Sequence, residues 1–344
     1  MNGNGYRVGV LGATGAVGST ILEVLRQRGF PAAEVVPFAS QRSAGRQIDW
    51  NGSRLEVRRL DDDTIGGLDV VLSSAGGAVS AEWAPRLVDA GAVVVDNTSY
   101  WRMHEEVPLV VSEVNPAAVD EHHGIVANPN CTTMQMVVAL APIHRAVGLE
   151  RVILSSYQSV SGTGQRAVEE LNAQTRDVLE GREPAAEVYP RQIAFNVLPQ
   201  VETFKEGDDY TTEERKVMAE TRKILGIGDE VGISATCVRV PVIAGHSESV
   251  NVQTGEDLSP EDCRELLSAA PGVTVIDNPG AGLYPTAIDA AGRDDVLVGR
   301  IRRDPSAERS LNLWIVGDNL RKGAATNAVQ VAELLVERDL LRRS

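Results

Sequence analysis

The chain has 344 residues, of which 43% are hydrophobic and 24% charged, and its formal net charge is −15 at pH 7. This length favours two domains, and the negative charge argues against nucleic acid or an anionic membrane surface as a general partner. No apolar run approaches a membrane span, and no signal segment precedes the first strand. Three widely spaced cysteines form neither a disulfide framework nor a zinc motif. We therefore expect a cytoplasmic protein without a metal site.

A buried-strand pattern at residues 6–11 leads directly into a glycine-rich turn, Gly12 to Gly18. A helical pattern and a second strand follow, which is the order that a dinucleotide-binding fingerprint requires. Gly12 suits the tight turn, Gly15 allows a pyrophosphate to approach, and Gly18 allows close helix–strand packing. The spacing is G-x-x-G-x-x-G, and a plain strand-to-helix turn is the alternative. We predict a dinucleotide site with contacts from Gly12, Thr14, Gly15, Ala16 and Val17.

The end of the second predicted strand indicates which dinucleotide is bound. NAD sites usually present Asp or Glu there to the ribose hydroxyls. This chain instead has Ser40-Gln41-Arg42-Ser43, in which a guanidinium is flanked by hydroxyls. Such a group suits a 2′-phosphate, so the sequence predicts NADP, with Ser40, Arg42 and Ser43 as contacts. An exposed loop arginine is the alternative.

The remaining patterns define two domains. Strand patterns at 70–73, 92–96, 109–111 and 125–127 predict a Rossmann-type, doubly wound and mostly parallel sheet. Long β-branched strands at 151–160 and 233–242, with polar helices at 165–179 and 212–225, predict an α+β second domain. An amphipathic helix from Ala325 to Leu341 is expected to return to the first domain. The predicted fold class is α/β, with a first domain at 1–130, completed by 320–344, and a second at 131–319.

Cys131 follows the last strand of the predicted first domain, within Asn128-Pro129-Asn130-Cys131-Thr132-Thr133. Apolar residues recur after it with helical spacing, so the cysteine is predicted at the start of a helix. Unpaired N–H groups and the helix dipole favour a thiolate there, at the sheet edge where such folds bind ligands. A small buried hydrophobic residue is the alternative when this segment is taken alone.

Several segments, occurring in order along the chain, carry a family resemblance. They are Gly12–Gly18, Ser40–Ser43, Asn128–Thr133, Tyr157–Gly162, Cys237–Pro241, Gly245–Ser249 and Gly317–Ala325. Together they closely resemble the bacterial NADP-dependent aspartate-semialdehyde dehydrogenases over nearly the whole chain. The resemblance implies reversible reductive dephosphorylation of 4-phospho-L-aspartate to L-aspartate 4-semialdehyde, which serves lysine (diaminopimelate), threonine and methionine biosynthesis. It also implies a homodimer whose second domain is catalytic and mediates dimerisation.

The same resemblance assigns the catalytic residues. Cys131 would be the nucleophile, because an aldehyde oxidised through a thioester needs a soft nucleophile. His246 would be the acid/base, since histidine titrates near neutrality, although a lone histidine is more often structural. Gln158 would hold the substrate or the acyl intermediate by its amide. Phosphate would finally attack the thioacyl enzyme.

The resemblance further implies an anion-binding set. Arg239 would pair with the substrate α-carboxylate and Glu213 with its amino group, while Arg102 and Lys216 would bind phosphate. Asn130 could donate to phosphate or cap the helix. Glu213 and Lys216 lie at i and i+3 in a helix that Thr211 and Glu214 are predicted to cap, so an ordinary surface ion pair is the alternative. Ser161, Gly162 and Asn319 would touch the cofactor.

Four positions depart from the family pattern: Tyr100, Trp101, Ser112 and Gln200. They bear on the geometry of the substrate loops and leave the reaction class unchanged. Two alternatives stay open. An N-acetyl-glutamyl-phosphate reductase would share the fold and chemistry, but its cysteine and histidine are expected in different surroundings. A non-catalytic NADP-sensing regulator on the same fold would be expected to lose at least one of the residues that are all present here.

Overall fold

The computed structural model describes residues 5–341. The chain divides into two compact units, which we call the first unit (Met1–Asn130 with Ala324–Ser344) and the second unit (Cys131–Gly323). No helix within residues 5–341 has the length and apolar character needed to cross a membrane.

The regular elements of the described chain are as follows. The strands are β1 (Tyr6–Leu11), β2 (Ala32–Ala39), β3 (Gln47–Trp50), β4 (Ser53–Glu56), β5 (Arg58–Arg59), β6 (Val70–Ser73), β7 (Val93–Asp96), β8 (Ile125–Ala127), β9 (Leu149–Gln158), β10 (Gly232–Arg239), β11 (His246–Thr254), β12 (Val273–Val275), β13 (Val296–Arg303) and β14 (Ser310–Gly317). The helices are α1 (Ala16–Gln27), α2 (Gly77–Asp89), α3 (Cys131–Val147), α4 (Gln165–Leu179), α5 (Thr212–Leu225), α6 (Pro260–Ser268), α7 (Ala287–Ala290) and α8 (Asn327–Glu337). Short 3₁₀ helices occupy Pro116–Glu121, Val160–Thr163 and Pro279–Ala281, and a π-helical turn spans Arg321–Thr326.

The first unit is built on a parallel sheet with the strand order β5-β2-β1-β6-β7-β8. The chain starts in the interior at β1, extends to β2 on one side and then continues from β6 on the other. This arrangement confirms the predicted doubly wound topology. Its switch point lies where β1 ends at Leu11, beside the glycine-rich turn, and ligands bind at such points.

Helix α8 completes the first unit. Its apolar residues Val329, Ala332 and Leu335 are fully buried in the same hydrophobic cluster as Val8 and Ile21. The return of the C-terminal helix is therefore confirmed, but the helix is shorter than predicted. The π-helical turn replaces its first turn, and Asp339, with a left-handed φ of +55°, follows its last residues.

The predicted strand at 109–111 is wrong. Only Leu109 forms a bridge, with Ala127. The Val111 N–H instead donates to the side-chain oxygen of Asn115 (2.8 Å), and the Val111 carbonyl accepts from Val114 and Asn115. A turn therefore replaces the strand, because an asparagine side chain satisfies the backbone group that a neighbouring strand would otherwise bond.

The second unit is built on a mixed sheet with the order β10-β9-β11-β14-β13-β12. Strand β9 is parallel to β10 and antiparallel to β11, which is antiparallel to β14. The carboxyl ends of β9, β10 and β14 and the amino end of β11 therefore meet at one edge of the sheet. Helix α3 packs against β9, β11, β13 and β14. The predicted helices at 165–179 and 212–225 coincide with α4 and α5.

Glu214 joins α5 to the sheet. Its carboxylate accepts from the N–H of Thr211 (2.7 Å) in a capping box, and from the N–H of Cys237 on β10 (2.8 Å). Both contacts are buried, so Glu214 fixes the start of the helix that carries Glu213 and Lys216.

We expect Glu214→Ala to lower the free energy of unfolding by about 1–3 kcal/mol, because two N–H groups lose their acceptor. Chemical denaturation at fixed protein concentration would measure this. Exposed Glu183→Ala is the control and should change stability by less than about 0.5 kcal/mol. Equal effects of the two substitutions would contradict the assignment.

Candidate active site

Cys131 and His246 face each other in the second unit. Cys131 is the first residue of α3 and is partly exposed, whereas His246, the first residue of β11, is fully buried. The cysteine Sγ lies 3.4 Å from the imidazole Nε2. The elements that carry the two residues therefore bring the predicted nucleophile and acid/base into contact.

Ser159 determines which nitrogen of His246 carries the proton. The Ser159 backbone N–H lies 3.1 Å from Nδ1, and its hydroxyl oxygen lies 3.0 Å from the same atom. A backbone amide can only donate, so Nδ1 acts as an acceptor and the proton of the neutral ring resides on Nε2. That N–H points at the sulfur of Cys131 and is placed to donate a hydrogen bond to a thiolate.

The surroundings of His246 keep it neutral. Burial lowers the pKa of the imidazole to about 3, and the positive charge of Arg239 acts in the same direction, while the charge of Glu213 opposes it. The ring is therefore an N–H donor, not a cation, at neutral pH.

Two glycines allow close packing around the cysteine–histidine pair. A Cβ added to Gly323 would lie 2.8 Å from the Cβ of Cys131. A Cβ added to Gly162 would lie 3.3 Å from the imidazole and 3.4 Å from Nη1 of Arg239. The structure thus places Gly162, predicted as a cofactor contact, directly beside His246.

Arg239 and Gln158 end neighbouring strands in register. Arg239 Nη1 donates to the Ser159 carbonyl (2.6 Å), and its guanidinium lies 5.9 Å from the ring centroid of Tyr189. The Gln158 amide donates to Glu213 (3.1 Å). Because these groups adjoin Cys131 and His246 along the same sheet edge, they can orient a small zwitterionic substrate.

Glu213 and Lys216 form an ion pair with an N···O distance of 2.9 Å, in which the carboxylate is buried. Lys216 also pairs with Glu202. Burial alone would lower the pKa of Lys216, but the Glu213 and Glu202 carboxylates outweigh it and raise the pKa above its ordinary value. The lysine therefore remains a cation, held between two carboxylates.

Asn319 ties together the loops around His246. Its side-chain oxygen accepts from the Gly245 N–H (3.0 Å) and from the hydroxyls of Ser159 and Ser161 (3.0 and 3.3 Å). Its amide also donates to Ser161 (3.0 Å). Ser161 and Asn319, both predicted cofactor contacts, thus lie in the same hydrogen-bond network as the imidazole of His246.

The dinucleotide contacts predicted from the glycine-rich turn and from Ser40–Ser43 lie in the first unit. Gly12 has a left-handed φ of +77°, and a Cβ on Gly18 would approach the Gly12 carbonyl to 2.1 Å. Gly15 precedes α1, where no side chain caps the helix and no acidic residue occupies the first turn. A Cβ on Gly15 would meet only the Gly12 carbonyl, at 3.3 Å. The turn therefore fits a pyrophosphate on an open helix N-terminus.

The other first-unit residues have the following positions. Thr14 is exposed, and Ala16 and Val17 open α1. Ser40 accepts from the Ser43 N–H (2.8 Å), which forms a turn with exposed Arg42 at its tip, just past β2. Arg102 is buried and donates to the carbonyls of Asn128 (2.9 Å) and Asn97 (2.7 Å). Asn130 is buried next to Cys131 in the chain.

Some residues of the site were not anticipated from the sequence. Ser159, which fixes the imidazole, lies inside a recognised motif and could have been found there. Tyr189 and Glu202 lie in the long loop between α4 and α5, where no periodic pattern or motif marks them. The remaining cysteines, Cys237 and Cys263, are buried, and burial raises the pKa of Cys263 to about 12. Residues 5–341 contain no group of three potential metal ligands.

Comparison with known proteins identifies the relatives of this chain. A family model described as semialdehyde dehydrogenase, NAD binding domain, matches residues 7–122, and one described as semialdehyde dehydrogenase, dimerisation domain, matches residues 140–322. The aspartate-semialdehyde dehydrogenase of Aquifex aeolicus is 53% identical over 98% of this chain and 100% of its own length. That of Legionella pneumophila is also 53% identical, over 98% and 97%.

Solved structures agree with the sequence relatives. The crystal structure of aspartate semialdehyde dehydrogenase II from Vibrio cholerae has a TM-score of 0.94 and 46% identity, and covers 97% of this chain and 99% of that chain. A second structure of that enzyme, complexed with ASA, has the same TM-score at 45% identity and the same coverage.

The buried imidazole predicts how stability depends on pH. The unfolded histidine takes up a proton below about pH 6.5, whereas folded His246 resists protonation down to about pH 3. The unfolded state therefore binds more protons between these values, and the free energy of unfolding falls as the pH is lowered.

We expect His246→Gln to remove this contribution. The difference in unfolding free energy between wild type and variant should change by about 2 kcal/mol between about pH 7.5 and about pH 5. Urea denaturation at fixed protein concentration measures it, with exposed His123→Gln as the control. A difference that is independent of pH would show that the folded imidazole titrates normally.

Proposed function

Because the chain belongs to the aspartate-semialdehyde dehydrogenase family, we propose that it catalyses the reversible, NADPH-dependent reductive dephosphorylation of 4-phospho-L-aspartate to L-aspartate 4-semialdehyde. It is an oxidoreductase of amino-acid biosynthesis that uses a nicotinamide dinucleotide and small-molecule substrates, and it forms a homodimer. The 3.4 Å contact between Cys131 and His246 carries the proposal.

The first chemical step uses the thiolate of Cys131. In the reductive direction the sulfur attacks the acyl carbon of the acyl phosphate, a C–S bond forms, and the C–O bond to phosphate breaks. The departing phosphate takes up one proton. The Nε2–H of His246 hydrogen-bonds first to the thiolate and then to the oxygen that becomes negative in the tetrahedral state.

NADPH, when bound, would supply a hydride to the thioester carbon. The resulting alkoxide collapses to the aldehyde and expels the Cys131 thiolate, so this step requires no net proton transfer. A neutral imidazole that donates from Nε2 therefore suffices as the electrophile in this step. The acid/base role predicted for His246 stays a prediction for the proton that phosphate takes up. In the oxidative direction the same N–H stabilises the alkoxide before phosphate cleaves the thioester.

Charged groups would orient the substrate. Arg239 would bind its α-carboxylate, Glu213 its ammonium group, and Gln158 its reacting end. Lys216, Arg102 and Asn130 would bind phosphate. Each charged side chain is opposite in sign to the substrate group assigned to it, and the contact between Gln158 and Glu213 supports a shared role.

We assign dinucleotide binding to residues 1–130 with 320–344, and catalysis and dimerisation to residues 131–319. Gly12, Thr14, Gly15, Ala16 and Val17 would hold the pyrophosphate, and Ser161, Gly162 and Asn319 would contact the nicotinamide half. Ser40, Arg42 and Ser43 support NADP as the cofactor, because a guanidinium flanked by hydroxyls suits a 2′-phosphate. A reducing compartment keeps the Cys131 thiol active, which supports a cytoplasmic location.

The decisive experiment is phosphate-dependent NADPH formation from L-aspartate 4-semialdehyde, run beside N-acetyl-glutamate semialdehyde. We expect turnover of the first substrate only, and none without phosphate.

Cys131→Ala should lower kcat by more than about 10³-fold with the cofactor still bound, because the nucleophile is lost. Cys263→Ala, which changes a buried thiol of α6, is the control. Appreciable turnover by Cys131→Ala would refute the covalent mechanism.

Arg42→Ala tests the choice of cofactor. Loss of the guanidinium should weaken NADP binding by about tenfold or more and leave NAD binding almost unchanged, because only NADP carries the 2′-phosphate. Titration of the protein with each dinucleotide measures both affinities, with Arg46→Ala, in an exposed position of the same loop, as the control. Equal weakening of both cofactors would overturn the 2′-phosphate assignment.

A further inference from the structure

Two buried side chains of the second unit have unsatisfied oxygens. Glu248 lies on β11, two residues after His246, and is fully buried. Neither of its carboxyl oxygens has a hydrogen-bond partner within the described part of the chain, and the same holds for the Oε1 atom of Gln135. Gln135 is also buried and lies on α3, four residues after Cys131.

The orientation of the Gln135 amide follows from its other contact. Its Nε2 lies 3.3 Å from the backbone carbonyl of His246, and a carbonyl can only accept. The amide nitrogen must therefore face His246, which leaves Oε1 in need of a donor. An ionised carboxylate cannot supply one, whereas a protonated carboxyl group can.

The surroundings of Glu248 favour the protonated form. Burial raises the pKa of its carboxyl group well above the ordinary value, and the adjacent Gln135 side chain opposes this only in part. A proton on Glu248 would therefore give Oε1 of Gln135 its missing donor and pair one of the two Glu248 oxygens with it.

A glycine makes room for Gln135. Gly317, at the end of β14, pairs with His246, and a Cβ added there would lie 2.6 Å from Oε1 and 3.1 Å from Cβ of Gln135. The φ of Gly317 is not positive, so its backbone conformation does not require a glycine. The close approach of Gln135 explains why a glycine occupies this position.

We propose that Glu248 is a positioning residue: as a neutral acid it donates to Oε1 of Gln135, whose amide in turn holds the carbonyl of His246. This Glu248–Gln135 bridge connects α3, which begins at Cys131, to β11, which begins at His246. It fixes the distance between sulfur and imidazole without touching substrate. The inference rests on the proposed function for the catalytic roles of Cys131 and His246.

Cys237 is the titratable group that lies in the same cross-strand row of the sheet as Glu248. Ser156 on β9 pairs with Glu248 on one side and with Cys237 on the other, and Ile315 of β14 flanks Glu248. Burial chiefly, with the negative charges of Glu213 and Glu214 in addition, raises the pKa of Cys237, so its thiol stays neutral. From α3, Gln135 is the polar group that meets the carboxyl.

The protonation state can be tested without turnover. Unfolded Glu248 ionises above about pH 4.5, whereas the folded residue keeps its proton, so wild-type stability should fall as the pH rises. Glu248→Gln cannot titrate. Its urea midpoint, relative to wild type at equal protein concentration, should therefore rise between about pH 5 and about pH 8. If the difference in urea midpoint between Glu248→Gln and the wild type does not change with pH, the carboxyl group of Glu248 is not neutral in the folded protein.

The positioning role is tested by comparing two substitutions of Glu248. Glu248→Gln keeps a donor for Gln135 and should retain kcat within about threefold, whereas Glu248→Leu should lower kcat about tenfold with KM unchanged. Alkylation of Cys131 by iodoacetamide should shift to higher pH in Glu248→Leu only, because the thiolate loses its aligned donor. Exposed Glu183→Leu is the matched control. Equal losses in both Glu248 variants, or wild-type behaviour in both, would overturn the proposal.

Gly317→Ala covers the case in which Glu248→Leu does not fold. The added Cβ would displace Gln135 and should reproduce both the tenfold loss of kcat and the alkylation shift; normal kinetics in this variant would refute the bridge. Absence of turnover in the wild type with either semialdehyde would refute the proposed function instead. Alkylation and stability would then still decide whether the bridge exists.

Discussion

The hydrogen bond from the Ser159 backbone amide to Nδ1 of His246 is the contact on which the chemistry of the site depends. Ser159 directly follows β9, and His246 begins the antiparallel neighbour β11, so the register of the sheet sets this contact. It assigns the imidazole proton to Nε2, facing Cys131. Burial then keeps the ring neutral. An enzyme that passes through an alkoxide needs such a fixed donor more than it needs a mobile proton.

Polar groups in the interior of the second unit are arranged in layers around this pair. Asn319 fixes Ser159 on one side, and the proposed Glu248–Gln135 bridge supports the His246 carbonyl on the other. Glu214 anchors the helix that carries Glu213 and Lys216. Glu213 pairs with Lys216, and Glu214 accepts from two backbone N–H groups, as a low-dielectric interior requires of buried charges. Although the chain has a net charge of −15, these contacts keep the cations Arg239 and Lys216 at the candidate active site.

The sequence predicted those features that local signals encode. The bounds of α4 and α5 agree with the structure, α5 begins with the capping box that Thr211 and Glu214 predict, and the fold class is confirmed. The strand at 109–111 failed because the side chain of Asn115 competes with a strand partner. Glu202 could not be found, since it meets Lys216 only after a long irregular loop folds back. The roles of the site residues, Arg42 among them, stay predictions.

The interrupted course of the first unit has a consequence for synthesis of the protein. Its sheet is finished when Asn130 emerges from the ribosome, but the buried face that receives Val329, Ala332 and Leu335 must wait for α8. The second unit is continuous and is complete once Gly323 has been made. The part translated first is therefore the part that closes its core last, and until then an apolar sheet surface is exposed to aggregation or to chaperones.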